Sequence, residues 1–214
     1  MVKNSLREDL RCLIIDLDDT LYPHQSGAWL MIRDRITQYL LEVMQFPADE
    51  VDALRNRLWT QYGTTLRGLQ VEYAVDMRDY LDYVHDVPLE EVLTRDDHLD
   101  VVLSELPWRK VIFTNGDGGH AERVTDLLGV SQHFDQIVDI HAIAPHCKPE
   151  QSAFETALSI FKEYPAHCLM VDDTPANLDT AQSMGIRTVS VGERVHAGSP
   201  HIETIHGLSG LMLG

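Results

Sequence analysis

Arg11-Cys12-Leu13-Ile14-Ile15-Asp16-Leu17-Asp18-Asp19-Thr20-Leu21 is an apolar run that stops abruptly in three carboxylates and a threonine. A continuous apolar run of this length suits a strand buried on both faces, as in a parallel sheet. Loops at the carboxyl ends of such strands are where α/β proteins bind their ligands. Like charges packed together are costly unless a cation or a proton relieves them. The one segment therefore points to a sheet, a site and a metal.

Outward from this run, the chain shows two textures. Residues 24–94 lack strand-like apolar runs and carry helical spacing instead, for example Trp29, Ile32, Ile36, Leu40 and Val43. The pattern predicts helices over about 29–43, 48–62 and 71–84, bounded by Pro47, Gly63 and Pro88. From residue 95 strands and helices alternate. Strands are predicted at 111–113, 136–140, 167–171 and 188–191, and helices at 121–128 and 152–161, with another after Asp173 that Gly185 stops. Such alternation implies crossover connections and a parallel sheet. The predicted fold is α/β, a Rossmann-like parallel core formed by 1–22 and 95–214, split after its first strand by a helical cap over 23–94. The tail, 196–214, is expected as a short helix or coil packed on the core.

Bulk properties narrow the function classes. The chain has 214 residues, 44% of them hydrophobic, with a formal net charge of −17. That length and apolar content fit one globular domain with a modest insertion. The charge argues against a nucleic-acid polymer or an anionic membrane as partner. It does not exclude a small anionic substrate, because a local metal and a lysine can reverse the sign inside a cleft. Cys12, Cys147 and Cys168 show no CxxC spacing. An odd number of scattered thiols fits a reducing compartment; Cys12 and Cys168 read as small core side chains, and Cys147, beside Lys148, as structural or near a site. No run of about 18 apolar residues is present to span a membrane, and Met1–Asp9 lacks an apolar signal core. A cytoplasmic location is expected.

Polar residues collect at the predicted strand ends. Asp16 and Asp18 follow the first strand, Thr114 and Asn115 the second, and Asp172 and Asp173 the fourth, while Lys148 precedes a helix after the third. In a parallel sheet these ends face one side, so the residues converge. Asp16 suits a nucleophile on phosphorus, as in aspartyl-phosphate enzymes. Asp18 can protonate a leaving oxygen and then activate water. Thr114 and Asn115, with backbone N–H groups at the Gly116 turn, can cradle phosphate oxygens. Lys148 would neutralise Asp16 and the transferring group. Asp16 and Asp173 can hold a hard divalent cation. Each piece alone is a common turn or helix cap; their order and placement make the set specific.

The chain resembles the haloacid dehalogenase-like hydrolase superfamily. Asp16-Leu17-Asp18-Asp19-Thr20 is similar to its first motif and Phe113-Thr114-Asn115-Gly116 to its second. Lys148-Pro149 is similar to the third, and Val171-Asp172-Asp173-Thr174-Pro175-Ala176-Asn177 to the fourth. The resemblance implies Asp16 as nucleophile and magnesium ligand. Asp18 is then the acid/base, lending its backbone carbonyl to the Mg2+. Thr114 and Lys148 become phosphate stabilisers. Asp173 is implied as the direct metal ligand, supported through water by Asp172 and Asn177. An acidic residue at position 18 sets the chain apart from the dehalogenase branch and implies a phosphatase or phosphotransferase.

Leu21-Tyr22-Pro23 and Tyr62-Gly63-Thr64-Thr65-Leu66-Arg67-Gly68-Leu69 further resemble a pyrimidine 5′-nucleotidase subgroup. This implies a substrate loop in which Arg67 meets a phosphate or a base, or else makes a surface salt bridge. Tyr22 and Tyr62 are candidates for base stacking or for buried packing. Asn115 and Gly116 complete the candidate substrate contacts. The expected partner is a small phosphorylated metabolite such as a nucleoside monophosphate, for a monomer or homodimer. A phosphomutase or phosphotransferase shares every motif, and a non-enzymatic phosphate-binding regulator is the remaining alternative. A receiver-like signalling domain is disfavoured, because it places its acidic pair first and its phosphorylated aspartate later.

Overall fold

The computed structural model describes residues 6–213. Six strands form one parallel sheet in the order β3-β2-β1-β4-β5-β6. They are β1 (Cys12–Ile15), β2 (Arg109–Phe113), β3 (Gln136–Val138), β4 (Cys168–Asp172), β5 (Arg187–Val191) and β6 (His201–Ile202). β1 lies between β2 and β4, with Ile15 level with Ile112 on one side and Val171 on the other. Every residue of β1 and β4 is buried, as the unbroken apolar runs require of a doubly covered strand. The sheet order turns at β1, since the chain continues to β2 on one side and reaches β4 on the other. That reversal opens a crevice at the carboxyl ends of β1, β2 and β4.

Between β1 and β2 the described residues form only helices and turns. α1 (Ala28–Gln38) runs into a π-helical turn, Tyr39–Val43, and is followed by α2 (Val51–Tyr62), α3 (Thr65–Tyr73), α4 (Met77–Val84) and α5 (Asp97–Glu105). Ala28, Ile32, Ile36 and Leu40 are buried at a four-residue spacing, which gives α1 and its extension a single apolar face. The Tyr39 ring meets Tyr80 and Tyr83 edge-on, tying the turn to α4.

The single helix expected over 71–84 is two helices. Ala74 takes a left-handed conformation at the end of α3, and the Asp76 carboxylate caps α4 by accepting from the backbone N–H groups of Arg78 and Asp79. The segment read as a substrate loop is helical for the same kind of reason. Thr64 caps α3 by accepting from the Arg67 N–H at 2.9 Å, so Arg67 lies in the first turn of a helix.

Beyond β2 come α6 (Gly118–Leu128), α7 (Ile140–Ile143), α8 (Gln151–Phe161), α9 (Pro175–Ser183) and α10 (Leu208–Leu213). The tail differs from the expected helix or coil in one respect. His201 and Ile202 add a sixth strand beside Ser190 and Val191 before α10 begins. Two residues are too few for a periodicity to register. Among the described residues no helix is long and apolar enough to cross a membrane.

Gly63, between α2 and α3, brings the helical insert against the sheet half. Its φ is +84°, and a Cβ there would sit 2.9 Å from both the Lys148 carbonyl and the Pro149 Cδ. Both the left-handed backbone and the backbone contact oppose a side chain. Gly63→Ala is expected to cost about 1–3 kcal/mol, read as a lower denaturant midpoint at unchanged slope.

Candidate active site

Lys148 is at the centre of the crevice and is buried. Its Nζ donates to Asp16 Oδ1 at 2.6 Å, to Asp172 Oδ2 at 3.0 Å and to the Phe113 carbonyl at 2.8 Å. One ammonium is thus shared by the ends of β1, β2 and β4. Burial pushes the Asp16 carboxyl well above the usual carboxylate range; Lys148 opposes that shift, and Asp172 and Asp173 add to it. Burial works against the Lys148 ammonium, but the two carboxylates outweigh it and raise its pKa. Asp172 pushes both groups upward, although burial is the larger cause for Asp16.

Asp16, Asp172 and Asp173 each offer a carboxylate oxygen, all within 4.8 Å of one another. Burial, then repulsion from Asp172, lifts Asp173 to about 6. An all-oxygen donor set with surplus negative charge fits a hard divalent cation. Within the group the capacity is unequal. Asp172 already accepts from Lys148, from the Thr174 N–H at 2.8 Å and from Asn177 Nδ2 on both oxygens. Asp16 Oδ2 takes no hydrogen bond among the described residues, and Asp173 accepts from Thr174 Oγ1 alone. Asp16 and Asp173 therefore have free oxygens for a cation, while Asp172 chiefly holds Lys148. Thr20 joins the two acidic loops by accepting from the Asp173 N–H at 3.1 Å.

The end of β2 differs from expectation at two residues. The Asn115 side chain donates to the Lys148 carbonyl at 3.0 Å and accepts from the Lys148 N–H at 2.8 Å. It clamps the lysine loop, so the Asn115 side-chain amide is already engaged. The Gly116 N–H donates to Thr114 Oγ1 at 2.9 Å, so this N–H is likewise not open to a ligand. What Gly116 contributes is space. A Cβ there would sit 3.3 Å from Thr114 Oγ1, 3.4 Å from His120 Cδ2 and 3.7 Å from Asp18 Oδ2. With its oxygen accepting from Gly116, the Thr114 hydroxyl retains a proton to donate.

The Asp18 side chain lies apart from the three-carboxylate group. Its Oδ1 accepts from the Tyr22 hydroxyl at 2.5 Å and pairs with His120 Nε2 at 2.8 Å. Burial alone would raise its pKa, but His120 and Tyr22 more than offset that and leave it lowered. Tyr22 is buried against Asp18, which settles it as packing and hydrogen bonding, not stacking on a base. His85, Asp117 and His120 were not anticipated. The available signal was Asp117, two residues after Asn115, which caps α6 and so puts His120 in its first turn facing the strand ends.

Asp16, Asp18, Thr114, Lys148 and Asp173 line a cleft of about 1070 Å³ whose opposite wall is the helical insert. That wall presents Trp29, Arg33, Asn56 and Trp59, and Gly63–Leu66 reach into the same cleft. Arg67 does not. It lines a separate small pocket with Met77, His146 and Cys147. Tyr62 is also outside the cleft lining, its carbonyl accepting from Cys147 Sγ at 3.2 Å.

Residues 10–185 match the profile of the haloacid dehalogenase-like hydrolases. Phosphate metabolism protein 8 of Saccharomyces cerevisiae is 29% identical over 195 residues, which are 82% of this chain and 60% of that protein. The chain thus spans less than two thirds of that relative. A magnesium-bound structure of YfnB from Bacillus subtilis superposes with a TM-score of 0.65 at 18% identity, covering 96% of this chain and 99% of that one. An L-2-haloacid dehalogenase from Xanthobacter autotrophicus gives 0.63 at 15% identity, over 96% and 99%. These two likenesses speak to the fold, an α/β sheet with a helical insert.

Proposed function

The chain belongs to the haloacid dehalogenase-like hydrolase family, and from that premise we propose that it is a magnesium-dependent phosphatase of small phosphate monoesters. The observation that supports this most is the Lys148 ammonium bound to Asp16 Oδ1 while Asp16 also offers a carboxylate oxygen within 4.8 Å of one from Asp173. A carboxylate oxygen of Asp16 attacks phosphorus, and the bond from phosphorus to the leaving oxygen breaks. Asp18, ionised in the resting site, takes up a proton on Oδ2 once the substrate's negative charge lies beside it, and delivers that proton to the leaving oxygen. Water then attacks the phosphorus of the phosphorylated Asp16, returning a proton to Asp18 Oδ2 and releasing inorganic phosphate. Lys148 and the Thr114 hydroxyl stabilise the charge on the transferring group. Magnesium, held by Asp16 and Asp173 and by the Asp18 carbonyl that the family resemblance assigns, would supply the positive charge that lets a carboxylate approach a phosphate anion.

We take the helices of 23–94 as a cap that selects the substrate. The resemblance of 21–23 and 62–69 to pyrimidine 5′-nucleotidases makes pyrimidine nucleoside monophosphates the substrates of choice. The cleft wall suits them, with Trp29 and Trp59 available to a base face and Asn56 to a base edge. The relative from yeast, named for phosphate metabolism, is consistent with a phosphomonoester chemistry. A phosphate-release screen over nucleotides, sugar phosphates and other small monoesters with magnesium tests the reading. Release from pyrimidine monophosphates above the others is expected. Pyrimidine monophosphates at the bottom of the ranking would reject the subgroup, and no release from any monoester would reject the phosphatase. Transfer to an added hydroxyl acceptor in place of release would favour the phosphotransferase.

A further inference from the structure

We propose that His120 and His85 are positioning residues that hold the Asp18 carboxylate in its proton-transfer orientation, and that they tie this orientation to the helical insert. The inference rests on the phosphatase reading above. Asp18 has two oxygens with different surroundings. Oδ1 is fixed from two sides, by the Tyr22 hydroxyl and by His120 Nε2, whereas Oδ2 takes no hydrogen bond among the described residues. Fixing one oxygen leaves the other aimed into the space that Gly116 keeps open beside Thr114 Oγ1. A carboxylate free to rotate about its last bond would spend much of its time with neither oxygen aimed there.

His120 is held in turn. Its ring is stacked on His85, with centroids 4.3 Å apart and planes 6° from parallel. The His85 ring nitrogen Nδ1 pairs with Asp117, the residue that caps the helix on which His120 sits. His85 ends α4, whose Tyr80, Leu81 and Val84 line the cleft from the insert side. Arg123, from α6, donates to the His85 carbonyl at 3.1 Å and to the Val87 carbonyl at 2.8 Å, so the segment that follows α4 is docked on the helix that carries His120. A continuous stack therefore runs from the cleft wall through His85 and His120 to Asp18. Among the described residues His120 Nδ1 is buried without a hydrogen-bond partner, so the ring is kept in place by the stack and by Asp18.

A positioning role has a signature that general destabilisation lacks. An aryl phosphate such as p-nitrophenyl phosphate releases a stable phenolate that needs little help from a proton, whereas an alkyl phosphate depends on the acid. The test is kcat/KM, which reports the step of ester cleavage, for the best alkyl monoester of the screen and for p-nitrophenyl phosphate. His120→Phe keeps a ring against His85 but removes the nitrogen facing Asp18; His120→Gln restores an amide nitrogen at similar reach.

The alkyl-to-aryl ratio is expected to fall ~100-fold in His120→Phe and to recover most of that loss in His120→Gln. His85→Ala, which removes the stack, is expected to lower the ratio in the same direction by a smaller factor. An unchanged ratio in His120→Phe, or equal falls in the Phe and Gln variants, would overturn the proposal while wild-type turnover left the phosphatase reading standing. Should His120→Phe fail to fold, an unchanged ratio in His85→Ala is the result that overturns it. Wild-type protein inactive on both esters would instead defeat the phosphatase reading itself.

Discussion

Asp16→Asn is expected to lower phosphatase turnover on the order of 10⁴-fold or more, the scale on which hydrolases lose activity with their nucleophile. The substitution keeps the side-chain shape and removes only the attacking charge. Folding is expected to survive it. Lys148 retains Asp172 and the Phe113 carbonyl as partners, and the crowding among the three carboxylates is relieved. The melting temperature should therefore hold or rise while activity vanishes. Substantial magnesium-dependent turnover by this variant would remove Asp16 from the mechanism.

Lys148→Met separates structure from chemistry in the opposite sense. Methionine fills the same space without charge, leaving Asp16 and Asp172 buried and facing each other unneutralised. Breaking a buried pair from one side costs about 3–5 kcal/mol. That loss is expected as a lower denaturant midpoint in metal-free buffer, with magnesium chloride restoring part of it because a cation can take over the neutralisation. Turnover is expected to fall by about 10²–10³-fold, the cost of removing one preorganised donor to developing charge. A variant as stable as wild type without metal would mean that Asp16 and Asp172 do not depend on Lys148.

The sheet was readable from sequence because its strands are buried on both faces. Cys12–Ile15 and Cys168–Asp172 are unbroken apolar runs with polar residues beginning where the strands end. The convergence of Asp16, Thr114, Lys148 and Asp173 followed from parallel topology alone, with no side-chain geometry required. What escaped depends on contacts that no local pattern encodes. Asn115 meets the Lys148 backbone across 33 positions, and His120 meets Asp18 across 102. The stack of His85 on His120 joins two helices from different parts of the fold.

The break between α3 and α4 falls at Ala74, a strong helix former, because Asp76 two residues on caps the next helix. Arg67 follows from the same local cause. Once Thr64 caps α3, the direction of its side chain is set by the helix, away from the acidic cleft.

The central claim is that Asp16 carries the phosphoryl group during turnover. An acyl phosphate is reduced by borohydride to the alcohol, which turns a phosphorylated aspartate into homoserine. Wild-type protein turning over p-nitrophenyl phosphate with magnesium chloride would be acid-quenched, reduced and digested, and the peptide containing residue 16 read by tandem mass spectrometry. The expected result is homoserine at position 16, only when substrate is present. Unmodified Asp16 in enzyme quenched while turning over, or homoserine at Asp18 or Asp173 instead, would contradict it.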